Sequence, residues 1–388
     1  MRILQIIPSI ALVYGGPSQM VRGLSAALAT QGVSVTILTT DSNGDTGQPP
    51  LEVPLNQPVS EDGYTVRYFR CSPFRRYKFS LSLLNWLWYH AHEFDVAHIH
   101  ALFSPVCSGA ATVARMRQLP YILRPLGTLD PADLQKKKQL KQIYATLLER
   151  SNIAGASALH FTSEPEAKIS ERFGVTTRDL VIPLGVNPPV HREEKTEPNH
   201  RPVILFMSRI EPKKGLNLLI PALEGVLAAG HQFQFILAGS NPQDPAYESQ
   251  IQTQIQQSAI ADYTTITGFV TGEQKARLLQ TADLFVLPSY YENFGIAVAE
   301  AMVAGIPVMI SDGVQIWEQI KRAEAGWVST GGVDEITALI TSALQNRQER
   351  ERRGQNARKL ATEHYSWDAI ATTTIQAYQQ ILDQKKVD

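Results

Sequence analysis

Short apolar segments alternate with helical segments in both halves of the chain, and this alternation restricts the fold more than any other feature of the sequence. Strands that alternate with helices are typical of βαβ units, in which helices cover both faces of a parallel sheet. The sequence therefore predicts an α/β protein with parallel sheets. The predicted strands are 3–7, 33–39, 96–100 and 121–123 in the first half, and 203–207, 233–237, 264–266, 284–287 and 307–310 in the second.

A polar segment separates the two halves. Residues 187–202 are rich in proline and charge and contain almost no apolar side chains, which is typical of a linker. The 388 residues also exceed what one hydrophobic core usually holds, at about 150 residues per domain. We therefore predict a domain over 1–190, a linker over 191–202 and a second domain over 203–366, followed by a last helix within 367–388.

Composition and cysteine count exclude several classes of protein. Hydrophobic residues make up 44% and charged residues 19% of the chain, and the net charge is -1, so no nucleic-acid partner is expected. The two cysteines, Cys71 and Cys107, form no C-x-x-C pair, which leaves neither a disulfide framework nor a thiolate zinc site. A reducing, cytoplasmic location is predicted.

The N-terminal segment has a basic residue followed by apolar residues, a pattern that can be mistaken for a signal peptide. Gln5, Pro8 and Ser9 interrupt the apolar stretch, and no small-x-small cleavage site follows. We therefore interpret this segment as a buried first strand. No other apolar run approaches the roughly 18 residues of a membrane-spanning helix, so any membrane contact is expected to be peripheral.

Cations follow the first predicted strand of the second half. Ligands of open α/β sheets bind beyond the carboxyl ends of the strands, so the residues there are the first candidates for a site. Arg209 follows strand 203–207, and Lys213 and Lys214 precede a helix that starts near Gly215. Cations beside a helix N-terminus suit a diphosphate, whereas the alternative is a solvated basic loop.

Two glutamates flank the start of another helix of the second half. Glu292 lies in a loop, Gly295 opens the helix, and Glu300 follows about five residues later, roughly 7 to 8 Å along the axis. This arrangement can bind sugar hydroxyls at Glu292, phosphate at the helix amides and ribose hydroxyls at Glu300. Two glutamates eight residues apart are common, so Glu300 on a surface helix is the alternative.

These residues resemble those of the retaining group-one glycosyltransferases, family 4 of the carbohydrate-active enzymes. The resemblance depends on segment 288–311, with Glu292 and Glu300 as an E-x7-E pair, and on the Arg209 and Lys214 segment. Supporting matches span nearly the whole chain. They are Gly15-Gly16-Pro17-Ser18, His98-Ile99-His100, Thr162-Ser163-Glu164, Pro183-Leu184-Gly185-Val186, Ala238-Gly239 and Thr267-Gly268-Phe269-Val270.

The resemblance implies the GT-B architecture, two facing Rossmann-like domains with a deep cleft between them. The C-terminal domain would hold most of the nucleotide-sugar donor and the N-terminal domain the acceptor. The last helix, 367–388, would pack back onto the N-terminal domain.

Site residues follow from the same resemblance. Arg209 and Lys214 would neutralise the donor diphosphate, Glu292 would orient the donor sugar, and Glu300 would hold the ribose. Sugar transfer would retain the anomeric configuration by same-face attack, without a covalent carboxylate. The implied donor-binding residues are Gly16, Gly239, Phe269, Val270, Asn293, Phe294, Gly295, Ile296 and Glu300.

One position departs from the family pattern. Many relatives place a histidine beside the donor sugar, after the strand that here is 121–123, whereas this chain has Arg124 followed by a Pro-Leu-Gly-Thr segment. Arg124 and the Gly127 backbone are the predicted substitutes on the acceptor side. His100 is the other candidate catalytic residue, because it lies near the carboxyl end of its strand on the same face as His98.

A metal site is not predicted. His90, His92, His98 and His100 fall within eleven residues, but no companion carboxylate or thiolate has a zinc-motif spacing. The chain also has no Asp-x-Asp pair, the motif with which the other major glycosyltransferase fold holds a divalent cation. We expect metal-independent transfer with no cofactor, the nucleoside-diphosphate sugar being a co-substrate.

Two basic stretches of the first half suggest a membrane surface. Residues 67–78 contain five cations and no acid and precede an apolar segment with Trp86 and Trp88, and a second cluster comprises Lys136, Lys137, Lys138 and Lys141. Cations beside Trp and Leu can contact anionic lipid, each contributing about 1 kcal/mol. A core helix with a solvated basic rim is the alternative.

The sequence thus predicts a retaining, metal-independent glycosyltransferase of the cytoplasm or of the inner face of the membrane. It would move a sugar from a nucleoside-diphosphate donor to a hydroxyl of a glycan, lipid-linked or small-molecule acceptor, in cell-surface polysaccharide or glycoconjugate synthesis. A nucleotide-sugar epimerase or hydrolase of the same fold, or a non-catalytic nucleotide-sugar-binding subunit, is the alternative. The sugar, the base, the acceptor and the oligomeric state are left open by the sequence.

Overall fold

The chain folds into two compact units. Unit 1 comprises Met1–Gly185 and Trp367–Asp388, and unit 2 comprises Val186–Ser366. The computed structural model describes residues 1–44, 48–73, 77–135, 138–187 and 201–385. Most of the predicted linker, 191–200, therefore lies outside the described residues, as do the lysines at 136 and 137.

Unit 1 contains a sheet whose strand order is β3-β4-β2-β1-β5-β6-β7-β8. The pairs are parallel except for the antiparallel pair β3/β4. From β4 to β6 the order is that of a Rossmann-like half, with its reversal at β1 and β5. The strands are β1 Arg2–Ile6, β2 Ser34–Thr40, β3 Pro58–Glu61, β4 Tyr64–Phe69, β5 Val96–His100, β6 Tyr121–Arg124, β7 Ala158–Phe161 and β8 Asp179–Val181.

Helices connect and cover these strands, with cores on both faces of the sheet. They are α1 Gly16–Thr30, α2 Leu81–His90, α3 Pro105–Met116, α4 Pro131–Gln135, α5 Lys138–Tyr144, α6 Arg150–Ala154 and α7 Glu164–Ile169, and a π-helical turn, Ala145–Glu149, joins α5 to α6. Helix α1 illustrates the packing, since Met20, Val21, Leu24 and Leu28 recur at helical spacing and are buried. Such burial contributes about 1.5–3 kcal/mol per side chain.

The C-terminal helix α15, Trp367–Lys385, completes unit 1. Its buried face includes Ile370, Thr374, Tyr378 and Ile381, spaced three and four residues apart. The ring of Trp367 fills the space above two glycines of this unit, Gly23 and Gly185, where an added Cβ would come within 2.2 and 2.1 Å of it. The helix is therefore an integral part of the first core.

Unit 2 has the sheet order β11-β10-β9-β12-β13-β14, with parallel neighbours throughout. This is the Rossmann order 3-2-1-4-5-6, and its reversal lies between β9 and β12. The strands are β9 Val203–Met207, β10 Gln234–Ala238, β11 Thr264–Gly268, β12 Leu284–Leu287, β13 Val308–Ser311 and β14 Gly326–Ser329. The helices are α8 Leu216–Ala228, α9 Pro245–Gln256, α10 Gly272–Thr281, α11 Ile296–Val303, α12 Trp317–Arg322, α13 Val333–Gln345 and α14 Arg347–Tyr365.

The α/β class and the parallel sheets predicted from the alternation are confirmed in both units. The sequence-based prediction omits β3, β4, β7, β8 and β14. Strands β3 and β8 are short and partly exposed, β4 alternates buried and half-buried positions, and the four-residue strands β7 and β14 contain His160, Gly326 and Ser329 among their apolar residues. Such segments carry little of the apolar signal that identifies a buried strand. No helix in the described part of the chain is long and apolar enough to cross a membrane.

Candidate functional site

The loops that follow β9 and β12 meet at the reversal point of the second sheet. Gly215 ends a 3-10 turn, Pro212–Lys214, and has a positive φ of 73°. A Cβ at this position would lie 2.0 Å from the carbonyl oxygen of Pro288, so only glycine allows the two loops to touch. The amide of Tyr290 also donates to the carbonyl of Lys213 at 2.8 Å. The two predicted site segments therefore form one surface.

Lys214 and Glu292 form an ion pair across these loops. The Nζ of Lys214 donates to Oε2 of Glu292, and the Lys214 residue is only 7% exposed. The backbone of Glu292 is fixed at both ends, because its amide donates to Gly313 and its carbonyl accepts from the amide of Gln315. Removal of Glu292 would leave the buried ammonium group of Lys214 without its counter-ion, which is costly, whereas the Glu292 side chain is 22% exposed and keeps part of its hydration.

Helix α11 begins beside this pair. Gly295 caps it with a φ of 77° and contributes no side-chain hydrogen bond to the first turn, which leaves helix amides to bind an anion. Glu300 lies one turn further and accepts from Nζ of Lys275 on α10 at 2.5 Å. Lys275 is a site residue that sequence reasoning missed, since a separation of 25 residues between two helices leaves no local signal.

Other predicted donor residues lie on the same edge of this sheet. Gly239 follows β10 with a φ of 152°, and a Cβ there would lie 1.9 Å from the carbonyl oxygen of Ser208. Phe269 is 74% exposed after β11, whereas Val270 is buried. This edge of the sheet therefore has an exposed aromatic ring, Phe269, and a glycine, Gly239, at which two loops come into close backbone contact.

Two predicted residues beside α11 make protein contacts. The ring of Phe294 is buried and packs edge-on against Tyr365, with centroids 5.1 Å apart. Oδ1 of Asn293 accepts a hydrogen bond from the hydroxyl of Tyr291. Neither side chain is as exposed as that of Phe269, so we expect residues 293 and 294 to contact a donor mainly through their backbone.

Arg209 is held by an acidic neighbour that the sequence analysis did not single out. Its Nη1 lies 2.7 Å from Oε1 of Glu211, and Nζ of Lys213 lies 3.3 Å from the other oxygen. Partial burial opposes ionisation of Glu211, but the two cations outweigh it and lower the pKa of this carboxyl. Glu211 thus positions an exposed guanidinium at the strand end.

The predicted acceptor-side residues lie together in unit 1. His100 and Arg124 end neighbouring strands in register with each other, and both are buried. Nε2 of His100 bonds to Oε1 of Gln5 at 2.6 Å, and Nη1 of Arg124 lies 2.6 Å from Sδ of Met20. Within the described residues, Nδ1 of His100 and Nε of Arg124 have no hydrogen-bond partner. Their catalytic and acceptor roles stay predictions.

Two predicted glycines of unit 1 lie at backbone turns. Gly127 has a φ of 78° in the loop after β6. Gly16 is the first residue of α1, next to Gly15 with a φ of 68°. Both therefore lie where the chain leaves a strand for a helix, as expected for residues near the carboxyl edge of the sheet.

A buried relay connects three histidines to the last helix. His160 Nε2 bonds to the carbonyl of Ile182 at 2.8 Å, His160 Nδ1 to His98 Nε2 at 3.0 Å, and His98 Nδ1 to the hydroxyl of Tyr378 at 2.8 Å. Because a carbonyl only accepts, Nε2 of His160 must carry hydrogen, and the direction of each following bond is then fixed.

The relay ends at His100. The Tyr378 hydroxyl donates to His98 and accepts from Nε2 of Gln5 at 3.1 Å, so Oε1 of Gln5 accepts from Nε2–H of His100. Burial, assisted by the Arg124 charge, lowers the pKa of His98 to about 3, and the pKa values of His100 and His160 are likewise well below normal. All three imidazoles are therefore neutral, and each forms at least one hydrogen bond within the protein.

Among the described residues, no group of three or more His, Cys, Asp or Glu side chains is arranged to hold a metal ion. His98, His100 and His160 come together, but both ring nitrogens of His98 and of His160 form hydrogen bonds, and only Nδ1 of His100 has no partner among the described residues.

Two family models match this chain. The model of the glycosyl transferases group 1 matches residues 189–360, and that of the glycosyl transferase 4-like domain matches residues 15–185. An uncharacterized glycosyltransferase of Methanocaldococcus jannaschii is 34% identical over 177 residues, which are 45% of this chain and 44% of that relative. The match thus spans about half of the length of this relative.

Solved structures match over the whole chain. Sucrose-phosphate synthase from Thermosynechococcus elongatus is similar with a TM-score of 0.74 and 23% identity, covering 99% of this chain and 100% of that one. Anabaena HepE in complex with UDP-glucose is similar with a TM-score of 0.69 and 18% identity, covering 100% of both chains. At these identities the likeness concerns the fold.

Proposed function

The chain belongs to the group 1 glycosyltransferases of the family 4 type and has the GT-B fold, and from that premise we propose that it is a retaining, metal-independent transferase. It moves a sugar from a nucleoside-diphosphate donor to a hydroxyl of a glycan, lipid-linked or small-molecule acceptor, in the synthesis of cell-surface polysaccharide or glycoconjugate. The observation that carries this proposal is the ion pair of the buried Lys214 with the partly exposed Glu292, beside the start of α11.

The donor binds to unit 2 in this proposal. Lys214, Arg209 and the amides at the start of α11 neutralise the diphosphate, since cations and helix amides favour phosphate. Glu300 accepts hydrogen bonds from the ribose, and the exposed ring of Phe269 borders the base. The complex of Anabaena HepE with UDP-glucose supports a nucleotide sugar as the donor for this fold.

Transfer exchanges one bond to the anomeric carbon for another. The bond from this carbon to the diphosphate oxygen breaks, and a bond to the acceptor oxygen forms on the same face of the sugar. The acceptor proton passes to the departing phosphate oxygen, so no covalent enzyme intermediate is needed. Lys214 and Arg209 stabilise the charge that develops on the leaving group, which is the role that a divalent cation would otherwise take.

Two other functions use the same donor site. A nucleotide-sugar epimerase or hydrolase would release epimer or free sugar whether or not an acceptor is present. A non-catalytic nucleotide-sugar-binding subunit would bind the donor without turnover. The missing histidine after β6 favours the subunit, whereas the presence of both glutamates, Glu292 and Glu300, and of both cations, Arg209 and Lys214, favours catalysis.

The donor site can be tested by calorimetry against a panel of nucleoside diphosphates and their sugars. We expect micromolar binding of one base, weakened about 10- to 100-fold in Glu300→Ala, because a charged hydrogen bond is worth about 1.5–3 kcal/mol. Glu318→Ala is the matched control, as Glu318 lies exposed on α12 of the same unit. Absence of binding to every nucleotide, or equal binding by both variants, would contradict the proposed donor site.

Contact with an anionic membrane is part of the proposal. Leu140, Ile143 and Leu147 recur at helical spacing along α5 and the π-helical turn and are 64%, 59% and 72% exposed. The sequence from 136 to 150 carries five cations and one acid, which suits anionic lipid. In α2, by contrast, Leu83 and Leu87 are buried, and that surface is closer to a core helix with a basic rim.

Flotation tests this surface. The wild type is expected to float with phosphatidylglycerol vesicles but not with phosphatidylcholine alone, because the apolar stripe inserts and the lysines attract anionic headgroups. Leu140→Ser with Leu147→Ser should abolish flotation. Leu81→Ser, at an equally exposed position on α2, should retain it. Equal flotation of all variants, or no flotation of any of the proteins, would show that this surface does not bind an anionic membrane.

A further inference from the structure

Unit 1 contains a small cavity that no residue of the proposed donor site lines. It measures about 230 Å³ and is bordered by α4, by α5 and by the loop that follows α7. The cavity is open to solvent: its polar lining residues are Gln135, Lys141, Gln142 and Glu171, all exposed except the half-buried Lys141, and the ring of Phe173 forms an apolar wall. Pockets for drug-sized ligands usually measure about 300–1,000 Å³, so this one fits a single ring.

The two sides of the cavity are joined at the carboxyl edge of the sheet. The segment on one side comes after β6 in the chain, and the segment on the other side comes after β7 and α7. The amide of Glu171, in the second segment, donates to the carbonyl of Leu129, in the first, at 2.9 Å. Ligands of open α/β sheets bind beyond the carboxyl ends of the strands. The cavity therefore lies at an edge where this unit is expected to bind its own substrate.

Two residues of strained backbone conformation support the apolar wall. Phe173 and Phe103 are non-glycine residues with φ of 53° and 56°, and their rings meet edge-on with centroids 6.3 Å apart. Such conformations cost about 1–3 kcal/mol each and persist mainly where the surroundings fix them, often at functional sites. The wall is thus held in place despite its strain.

Buried contacts hold the Phe103 side of this wall. Glu149 is buried in the π-helical turn, and its Oε1 accepts from the amide of Phe103 and from the hydroxyl of Ser108, both at 2.7 Å. The Tyr144 ring packs against Phe103 at 5.9 Å, and its hydroxyl donates to Ser108 at 2.9 Å. These contacts fix the loop after β5.

Half-buried and exposed contacts hold the Phe173 side. The Arg172 guanidinium donates to the carbonyl of Ala167 at 2.5 Å and pairs with Asp179 at 2.7 Å. Oε1 of Glu171 accepts from the amides of Arg172 and Phe173 at 2.8 and 2.5 Å, which orients the carboxylate while its second oxygen takes no part in these two bonds. The backbone on both sides of the cavity is therefore held by hydrogen bonds.

The lining matches one ligand chemistry. A carboxylate only accepts hydrogen bonds, an ammonium group only donates them, and a primary amide does both, so the four polar side chains can satisfy several vicinal hydroxyls. The apolar C–H face of a sugar ring can lie on the Phe173 ring. Because Glu171 and Lys141 offer one charge of each sign, a neutral ring is favoured over a phosphate.

We propose that this cavity is an acceptor subsite that binds one neutral pyranose ring of the acceptor. The inference rests on the proposed function, since it names the class of molecule that receives the sugar. It narrows that class to acceptors that carry a saccharide, and it assigns acceptor recognition to Glu171, Gln142 and Phe173.

Saturation-transfer NMR with methyl α-glucoside, methyl α-mannoside and methyl α-galactoside tests the subsite directly. We expect saturation transfer to the ring protons of at least one glycoside in the wild type. The double variant Glu171→Gln with Gln142→Ala should bind it about tenfold more weakly, because two hydrogen bonds, one of them charged, are weakened or lost. Gln139→Ala should bind as the wild type does, since Gln139 is exposed on the same helix and does not line the cavity.

Nucleotide binding, measured on the same samples, separates the two proposals. Nucleotide binding with no saturation transfer to any glycoside, or with equal transfer in the double variant, overturns the subsite and leaves the donor site standing. If the wild type binds no nucleotide, the proposed function is overturned instead. Glycoside binding that only the double variant loses supports the subsite.

Discussion

Replacement of Lys214 by alanine is expected to lower kcat/KM for sugar transfer at least about 100-fold, near 2.7 kcal/mol. The ammonium group is buried against Glu292 at the start of α11, where it would meet the diphosphate as negative charge develops on it. A charge in a site with little water stabilises a leaving group far more than the same charge in solvent. Steady-state rates with donor and acceptor varied in turn measure the effect.

Stability must be separated from catalysis in this variant. Lys214→Ala leaves Glu292 without its cation, so part of the loss can come from a destabilised loop. The double variant Lys214→Ala with Glu292→Gln removes the stranded charge, and we expect it to recover thermal stability but not activity. Lys359→Ala, at an exposed position on α14, is the control for loss of a lysine. Activity restored in the double variant, or near wild-type activity in Lys214→Ala, would show that the pair is only structural.

The positions of the site loops could be predicted, but their side-chain contacts could not. Apolar periodicity identifies β9 and β12, and the residues after them must lie at the carboxyl edge of a parallel sheet. The resemblance to a family then assigns roles to Lys214 and Glu292. It does not indicate that these two side chains bond to each other, because a contact between residues 78 positions apart depends on rotamers as well as on strand order.

The histidines of unit 1 illustrate the same limit more strongly. The alternation along β5 places His98 and His100 on one face, which the sequence predicts correctly. Their burial and neutral state depend on Tyr378, which bonds to His98 across 280 residues, and on Gln5 of the first strand. No local pattern in the sequence contains this information, so a role as an exposed catalytic group and a role as a core residue could not be separated there.

Acid is expected to destabilise unit 1 strongly, beginning below pH 6.5. A histidine has a pKa near 6.5 in the unfolded chain, whereas burial lowers the pKa of His98 to about 3 in the fold and also lowers those of His100 and His160. The unfolded state therefore binds more protons over this range, and stability falls as the pH falls. Each histidine contributes up to about 1.4 kcal/mol per pH unit.

The hydrogen-bond relay explains why the protein cannot avoid this cost. A second proton on His98 would have to bind at Nδ1, which already accepts a hydrogen bond from the Tyr378 hydroxyl. A second proton on His160 would likewise have to bind at its Nδ1, which already accepts from Nε2–H of His98. Arg124 adds a positive charge beside all three rings. Glu149 acts in the opposite direction, because burial raises its pKa and its protonation on acidification favours the fold.

Urea unfolding followed by circular dichroism between pH 7.5 and 4.5 measures this dependence. While all three histidines are neutral in the fold and protonated in the unfolded chain, the slope would be up to about 4 kcal/mol per pH unit, which is a large fraction of the stability of a typical domain. His160→Gln should reduce the slope by about one third, because an amide can donate to Ile182 and accept from His98 without titrating. His92→Gln, at an exposed position, should leave the slope unchanged. A flat pH profile, or equal slopes in the two variants, would show that the buried histidines do not control acid stability.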